Sequence, residues 1–266
     1  MQTRSRESDR LMKKQLLAVI FALVPALSMA AGSPAKLDAM TPDLYNVESL
    51  HNGARLFVNY CMGCHSAEHQ RFARTAEDLG IPQEVIEENL ILNPQTAYND
   101  QMRIAMTKAD SAVWFGTPPP DLSLMARLKS PEYIYSFLRS FYLDSGKPWG
   151  VNNTVFPDVG MPHVLADLQG TYSLSCDPNA VGAGTIDPLK GKVANPRDCF
   201  KEATPGSLSP AEFDKAVYDL TNFMVYVAEP SKYQANSLAP KVLIFIVIFF
   251  FFAYLLKKEY WRDVKS

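Results

Sequence analysis

The sequence predicts a mostly α-helical domain with long connecting loops, followed by one C-terminal transmembrane helix. Three observations predict it: apolar runs near both ends of the 266-residue chain, amphipathic helical stripes between them, and no stretch that sustains the period-two alternation of a half-buried strand. With 47 % hydrophobic residues the chain is large enough to bury a core without staples. Its formal net charge of −2 gives no basic field that would attract nucleic acid.

Near the start, Lys13 and Lys14 precede "LLAVIFALVPAL" and then "SMAAG", with small Ser28 and Ala30 before a cleavage position. A basic, then apolar, then small-residue order is that of a secretory signal peptide. Residues 1–30 are therefore expected to be removed, with Met12 as a candidate start, and the domain after them is expected outside the cytoplasm. In "VESLHNGARLFVNYC", Leu50, Ala54, Phe57, Val58 and Cys61 fall at helical spacing, with Ser49 as N-cap, so Cys61 emerges from a helix end. A second helix is expected to start at Ser130–Pro131 and run through "EYIYSFLRSFYLD". The clearest helix is "LSPAEFDKAVYDLTNFMVYVAEP": Ser209 caps it, Pro210 opens it, Glu212 completes a capping box, and Pro230 comes just after its end. Its stripe of Phe213, Ala216, Val217, Leu220, Phe223, Met224 and Val227 should face the core.

The last element is "VLIFIVIFFFFAYLL", residues 242–256. A membrane span needs about 20 residues, which "SLAP" supplies if Lys241 snorkels. Four consecutive phenylalanines leave no polar face for a soluble core helix. Lys257, Lys258, Trp261, Arg262 and Lys265 form the aromatic and basic flank expected on the cytoplasmic side. The expected organisation is a signal peptide (1–30), an exported domain (31–237), a transmembrane anchor (238–257) contacting lipid, and a cytoplasmic tail (258–266).

Between the helices lie "FGTPPPDLS", "SGKPWGVNNTVFPDVGMPHV" and "CDPNAVGAGTIDPLKGKVANPRDC". Loops of this length are uncommon unless they wrap a ligand or partner, and a large planar cofactor accounts for them economically. The chemistry concentrates in "NYCMGCHSAEH", which holds two of the four cysteines and two of the four histidines. Structural zinc needs a second ligand pair, and Cys176 and Cys199 are too far apart in sequence to form one. Thioredoxin-like redox chemistry expects a βαβ setting that is absent. A c-type haem uses this spacing directly: Cys61 and Cys64 form thioethers with the two vinyl groups, and His65 binds iron on the proximal face. The motif occurs once, so one haem is expected.

The other face decides between carrier and catalyst. His51 sits in the approach helix and His69 just beyond the proximal ligand, so both are read as surface residues. "FPDVGMPHV" offers Met161 and His163. Gly160 permits a sharp approach and Pro162 keeps Met161 extended, which favours Met161 as distal ligand. Met102, Met106 and Met125 lie on helix-like stretches and are read as gap-fillers. The acidic Glu84, Glu87 and Glu88 are read as a solvated helix face.

Taken together, "SLHNGARLFVNYCMGCHS", "TPPPDLSLMAR", "GMPHV", "LTNFMVYVAEP" and the tail helix with "KKEYW" resemble the cytochrome c1 family. These are the membrane-anchored haem subunits of bacterial cytochrome bc1, the ubiquinol–cytochrome c reductase complex. The resemblance implies a cytochrome c-like haem domain with Cys61 and Cys64 as thioether residues, His65 as proximal and Met161 as distal ligand. It implies that Arg127 meets a haem propionate and that Pro118, Pro119 and Pro120 form a rigid strap beside the porphyrin. It further implies cytochrome b and the Rieske iron–sulfur protein as partners in a dimeric complex in the bacterial inner membrane. The haem domain would lie in the periplasm and the C-terminus in the cytoplasm. An electron would arrive from the Rieske protein and leave for a periplasmic cytochrome c, with no substrate bond changed on this non-catalytic subunit. Cys176 and Cys199 remain unassigned, and in an oxidising compartment they are expected to form a disulfide contributing about 3 kcal/mol. A haem subunit of a terminal oxidase fits the haem and anchor but not "PPDLS" with "VYVAEP". A haem enzyme or gas sensor needs an open distal position.

Overall fold

The computed structural model describes residues 37–176 and 199–262. The expected signal peptide and the end of the tail, including Lys265, lie outside the described residues.

Helix α1, Val47–Leu56, begins one turn from where its cap was expected. Asn46 is the N-cap, its side chain accepting from the Ser49 N–H at 3.0 Å. Ser49 is drawn inward instead and donates its hydroxyl to buried Asp219 at 2.7 Å. The helix then widens into a single π turn, Phe57–Cys61, before the chain reverses.

Helices α2 (Phe72–Leu79) and α3 (Gln83–Asn89) form one flank, and Glu84, Glu87 and Glu88 are exposed on α3. They are succeeded by α4 (Lys108–Phe115), α5 (Met125–Lys129) and α6 (Pro131–Leu138). Ser130 caps α6 and Pro131 opens it, as the sequence predicts, but the helix stops at Leu138. Phe141–Leu143 forms strand β3 against β4, Val151–Asn153.

Three small antiparallel pairs supplement the helices. Strand β1 (Ala67–Arg71) pairs with β2 (Gln101–Met102), β3 with β4, and β5 (Gly170–Leu174) with β6 (Phe200–Pro205). None alternates regularly between buried and exposed residues over four or more positions, so none leaves a period-two signal in sequence. Met102 accordingly sits buried in β2, and Met106 in irregular chain before α4, rather than on helices. After β5, Cys176 is bonded to Cys199, which precedes β6.

Helix α8, Pro210–Ala228, is the axis of the core, preceded by the short α7, Ala166–Gln169. Its N-terminus has the predicted capping box, with the Glu212 carboxylate accepting from the Ser209 N–H at 2.9 Å. Phe213, Val217, Leu220 and Phe223 are all at most 3 % exposed and pack on Leu50 and Ala54 of α1 and on Phe57 of the π turn. Each such fully buried large side chain contributes about 1.5–3 kcal/mol. The crossing is tight because position 53 is glycine: a Cβ there would strike the Asp219 carbonyl and lie 2.6 Å from Phe223 Cβ.

Helix α9, Lys232–Tyr260, carries a membrane-length apolar window, Leu238–Tyr260, none of it buried inside the protein. It starts before the expected span and runs past its expected end. Pro240, which cannot donate to the helical ladder, lies within it.

Candidate haem site

The π turn delivers Cys61. Its widened ring is closed by the Met62 N–H on the Phe57 carbonyl at 3.0 Å, and the N–H groups of Cys64 and His65 then both reach back to the Cys61 carbonyl, at 3.1 and 2.9 Å. Single π turns recur at functional sites because they re-aim one side chain without ending the helix. Here the turn leaves Cys61, Cys64 and His65 along one cavity of about 340 Å³.

A second segment is stitched beside the first. The Leu122 N–H donates to the Ser66 carbonyl at 2.8 Å, the Glu68 N–H to Asp121 Oδ2 at 2.9 Å, and the His69 N–H to buried Ser123 Oγ at 3.0 Å. These bonds give "PPPDLS" a local physical role: Asp121 and Ser123 tie it to the chain after the CxxCH turn. Pro118, Pro119 and Pro120 thereby line the cavity, and having no N–H they leave no donor unpaired against its apolar interior.

The stitching also orients His65. Its Nδ1 lies 2.7 Å from the Pro120 carbonyl, which can only accept, so Nδ1 carries the proton and Nε2 keeps its lone pair. Burial lowers the imidazole's proton affinity, opposed by that bond and by Asp121, so the ring is a neutral base. Burial, with Cys64 beside it, pushes the Cys61 thiol up to about 12. That is the opposite of the lowered value that marks a thiolate used in redox exchange.

Further wall comes from Met125 and Lys129 of α5, Phe137 and Leu138 of α6, the irregular stretch with Val159, Gly160, Met161, Pro162 and Val164, and Met224 of α8. Three thioethers therefore reach the cavity, from Met125, Met161 and Met224. Met125 and Met224 are fixed on helices, while Met161 lies outside regular structure, next to Gly160, where an added Cβ would meet nothing within 4 Å. His51 and His69 are exposed and do not line the cavity, and His51 Nε2 engages the Leu79 carbonyl at 2.8 Å.

Arg127 is also outside the lining. It is exposed and its guanidinium Nε lies 3.6 Å from Glu229, in the "AEP" that ends α8. Lys129, two residues further along α5, lines the cavity instead, with its ammonium 5.3 Å from the Tyr133 ring centroid. Lys129, Tyr60 and Phe156 were not singled out by sequence reasoning. For Lys129 the signal was present, since "MARLK" offers two cations close together.

Two thiols, an imidazole with a free Nε2, a thioether and a cation around an apolar cavity are a donor set that fits a covalently attached haem. Among the described residues, no cluster of His, Cys, Asp and Glu could hold a metal ion by itself.

Comparison with known proteins agrees. The family model described as the Cytochrome C1 family matches residues 39–179 and 206–264. The chain is 42 % identical over 253 residues to cytochrome c1 of Allochromatium vinosum, covering 95 % of this chain and 100 % of that one. It is 38 % identical over 255 residues to the ammonia monooxygenase gamma subunit of Nitrosomonas europaea, covering 96 % and 99 %. Against cytochrome c1 of Rhodospirillum rubrum the identity is 26 % over 246 residues, covering 83 % and 84 %.

Proposed function

The chain belongs to the cytochrome c1 family, whose members carry one covalent haem c, and from that premise we propose a role for each residue of the cavity. Cys61 and Cys64 form the two thioethers, His65 supplies the proximal nitrogen and Met161 the distal sulfur. The observation that carries this is the Pro120 carbonyl on His65 Nδ1, which leaves Nε2 as the donor on a cavity that Met161 also lines.

Haem c supplies a one-electron iron couple when bound. The chain's own residues set its conditions. The proline strap and apolar walls exclude water, and a thioether from Met161 favours the reduced state and raises the potential relative to a second histidine. Lys129, which lines the cavity, would meet a propionate. Arg127, the family's position for that role, would serve it after leaving Glu229.

The membrane-anchored chain acts as an electron-transfer subunit of a cytochrome bc1 complex, with cytochrome b and the Rieske protein as partners. The electron enters from the Rieske protein and leaves to a periplasmic cytochrome c, within a dimeric complex. The haem domain lies in the periplasm, with residues 1–30 as leader and the basic end of α9 in the cytoplasm among lipid headgroups. Cys176 and Cys199, bonded in the structure, suit that oxidising compartment.

Purification from membranes in mild detergent, with a haem stain and identification of co-purifying subunits, tests this. Cytochrome b and a Rieske protein are the expected companions. Recovery with monooxygenase subunits and without cytochrome b, as the name of the Nitrosomonas relative would suggest, overturns the reading.

A further inference from the structure

Backbone support for the stretch that presents Met161 ends at Asp158, after the Val155 and Phe156 N–H groups donate to Asn153 Oδ1. Thr154 donates to the Ser140 carbonyl at 3.2 Å, and Asp158 donates to Asn152 Oδ1 at 2.8 Å. The next backbone anchor is the Ala166 N–H on the His163 carbonyl at 3.2 Å. Among the described residues, Val159, Gly160 and Met161 make no backbone hydrogen bond. A ligand on such a segment needs side chains to hold it against the pull of thermal motion.

His163 is the side chain in the right place. Met161, Pro162 and Val164 line the cavity and His163 does not. Its ring stacks on Phe141 of β3, with centroids 4.8 Å apart and planes 3° from parallel. Phe141 is 2 % exposed and meets Phe137 edge-on at 5.3 Å, and Phe137 is itself part of the cavity wall. A closed circuit therefore runs from the cavity wall through Phe137 and Phe141 to His163, and back through two residues of chain to Met161. The polar side of the ring gives Nε2 no hydrogen bond. Gln169 and the Gly170 backbone lie near the imidazole, yet His163 Nε2 is buried without a well-formed hydrogen bond, as is Gln169 Oε1. Leaving such an atom unpaired is unfavourable, and the stack on Phe141 offsets that cost.

We propose that His163 is a positioning residue: its flat stack on Phe141 anchors the back of the distal loop and keeps the Met161 thioether turned toward the iron. The device works by shape and ring-on-ring contact and needs no charge on the imidazole. It rests on the assignment of Met161 as distal ligand.

The test uses the full chain in membranes, with covalent haem verified by stain, and three variants: Met161→Ala, His163→Ala and His163→Phe. Two readouts are recorded, the thioether-to-iron charge-transfer band of the oxidised form and carbon monoxide binding by the reduced form at neutral pH. Met161→Ala should abolish the band and admit carbon monoxide. His163→Ala should weaken or abolish the band and admit carbon monoxide while haem stays attached, and His163→Phe, which preserves the stack, should restore both properties. If Met161→Ala loses the band but His163→Ala behaves as wild type, the anchor is refuted and the ligand assignment stands. If His163→Phe is as defective as His163→Ala, the stack is not the device and the proposal also fails. If Met161→Ala keeps the band, the ligand assignment itself falls, and the anchor with it.

Discussion

Ser130 is the residue whose backbone is hardest to explain by sequence alone. It has φ 82° and ψ 155°, a region that non-glycine residues rarely occupy, because it must both end α5 and cap α6. Its hydroxyl accepts from the Tyr133 N–H at 3.3 Å. Strain of this kind costs about 1–3 kcal/mol, whereas replacing a serine cap by glycine costs only a few tenths. Ser130→Gly should therefore stabilise the chain by roughly 1 kcal/mol, and Ser130→Ala, which keeps the strain and loses the cap, should destabilise it by about the same. Thermal denaturation of the two variants should move in opposite directions. The sequence shows serine before proline and so reveals the cap. It cannot show the positive φ, which is imposed by the angle between two helices.

At the scale of elements, α1 against α8 carries the fold and gives two checks. Gly53→Ala forces a methyl onto the Asp219 carbonyl, and backbone cannot swing aside as a side chain can. Overpacking at this crossing should cost about 1–3 kcal/mol, read in denaturant unfolding. The capping box of α8 makes a pH prediction. Hydrogen bonds from the Ser209 hydroxyl and N–H hold the Glu212 carboxyl below its usual value of 4.5, so the folded state binds its proton less readily than the unfolded state. Its contribution is present above pH 4.5 and is lost as pH falls through the lowered value. Amide exchange in the first turn of α8 should quicken over that range, and in Glu212→Gln it should not, since an amide accepts the same bonds without titrating. Both helices were legible because their apolar stripes and caps are local signals. Ser49 was misread as a cap because its actual partner, Asp219, lies far along the chain and only the α1–α8 crossing brings them together. Phe141–Leu143 reads as a continuation of α6 for a similar reason: its strand character comes from pairing with Val151–Asn153, which no local pattern announces. The spacing of Cys61, Cys64 and His65 announces that they lie close together, but not the π turn that aims Cys61, nor that Lys129 rather than Arg127 lines the cavity. Which of two neighbouring cations faces the cavity depends on the start and pitch of a five-residue helix, and that is set by packing.

At the scale of the whole molecule, the anchor and the cavity divide the chain between them. Among the described residues, those lining the cavity run from Tyr60 to Met224 and those of the buried core precede Glu229. Helix α9 contributes to neither, and none of its apolar window is buried in the protein. Its role is then to hold the domain at a bilayer, where burying that surface in lipid replaces the packing it lacks. A chain that keeps residues 1–30 but ends after Pro230 should keep the α8 capping box unchanged, because it lies before the cut. It should fractionate as a soluble protein with haem attached and an unaltered charge-transfer band, and it should no longer co-purify with membrane subunits. Loss of haem attachment or of the band would mean that α9 supports the cavity from outside it, through contacts made only in the assembled complex.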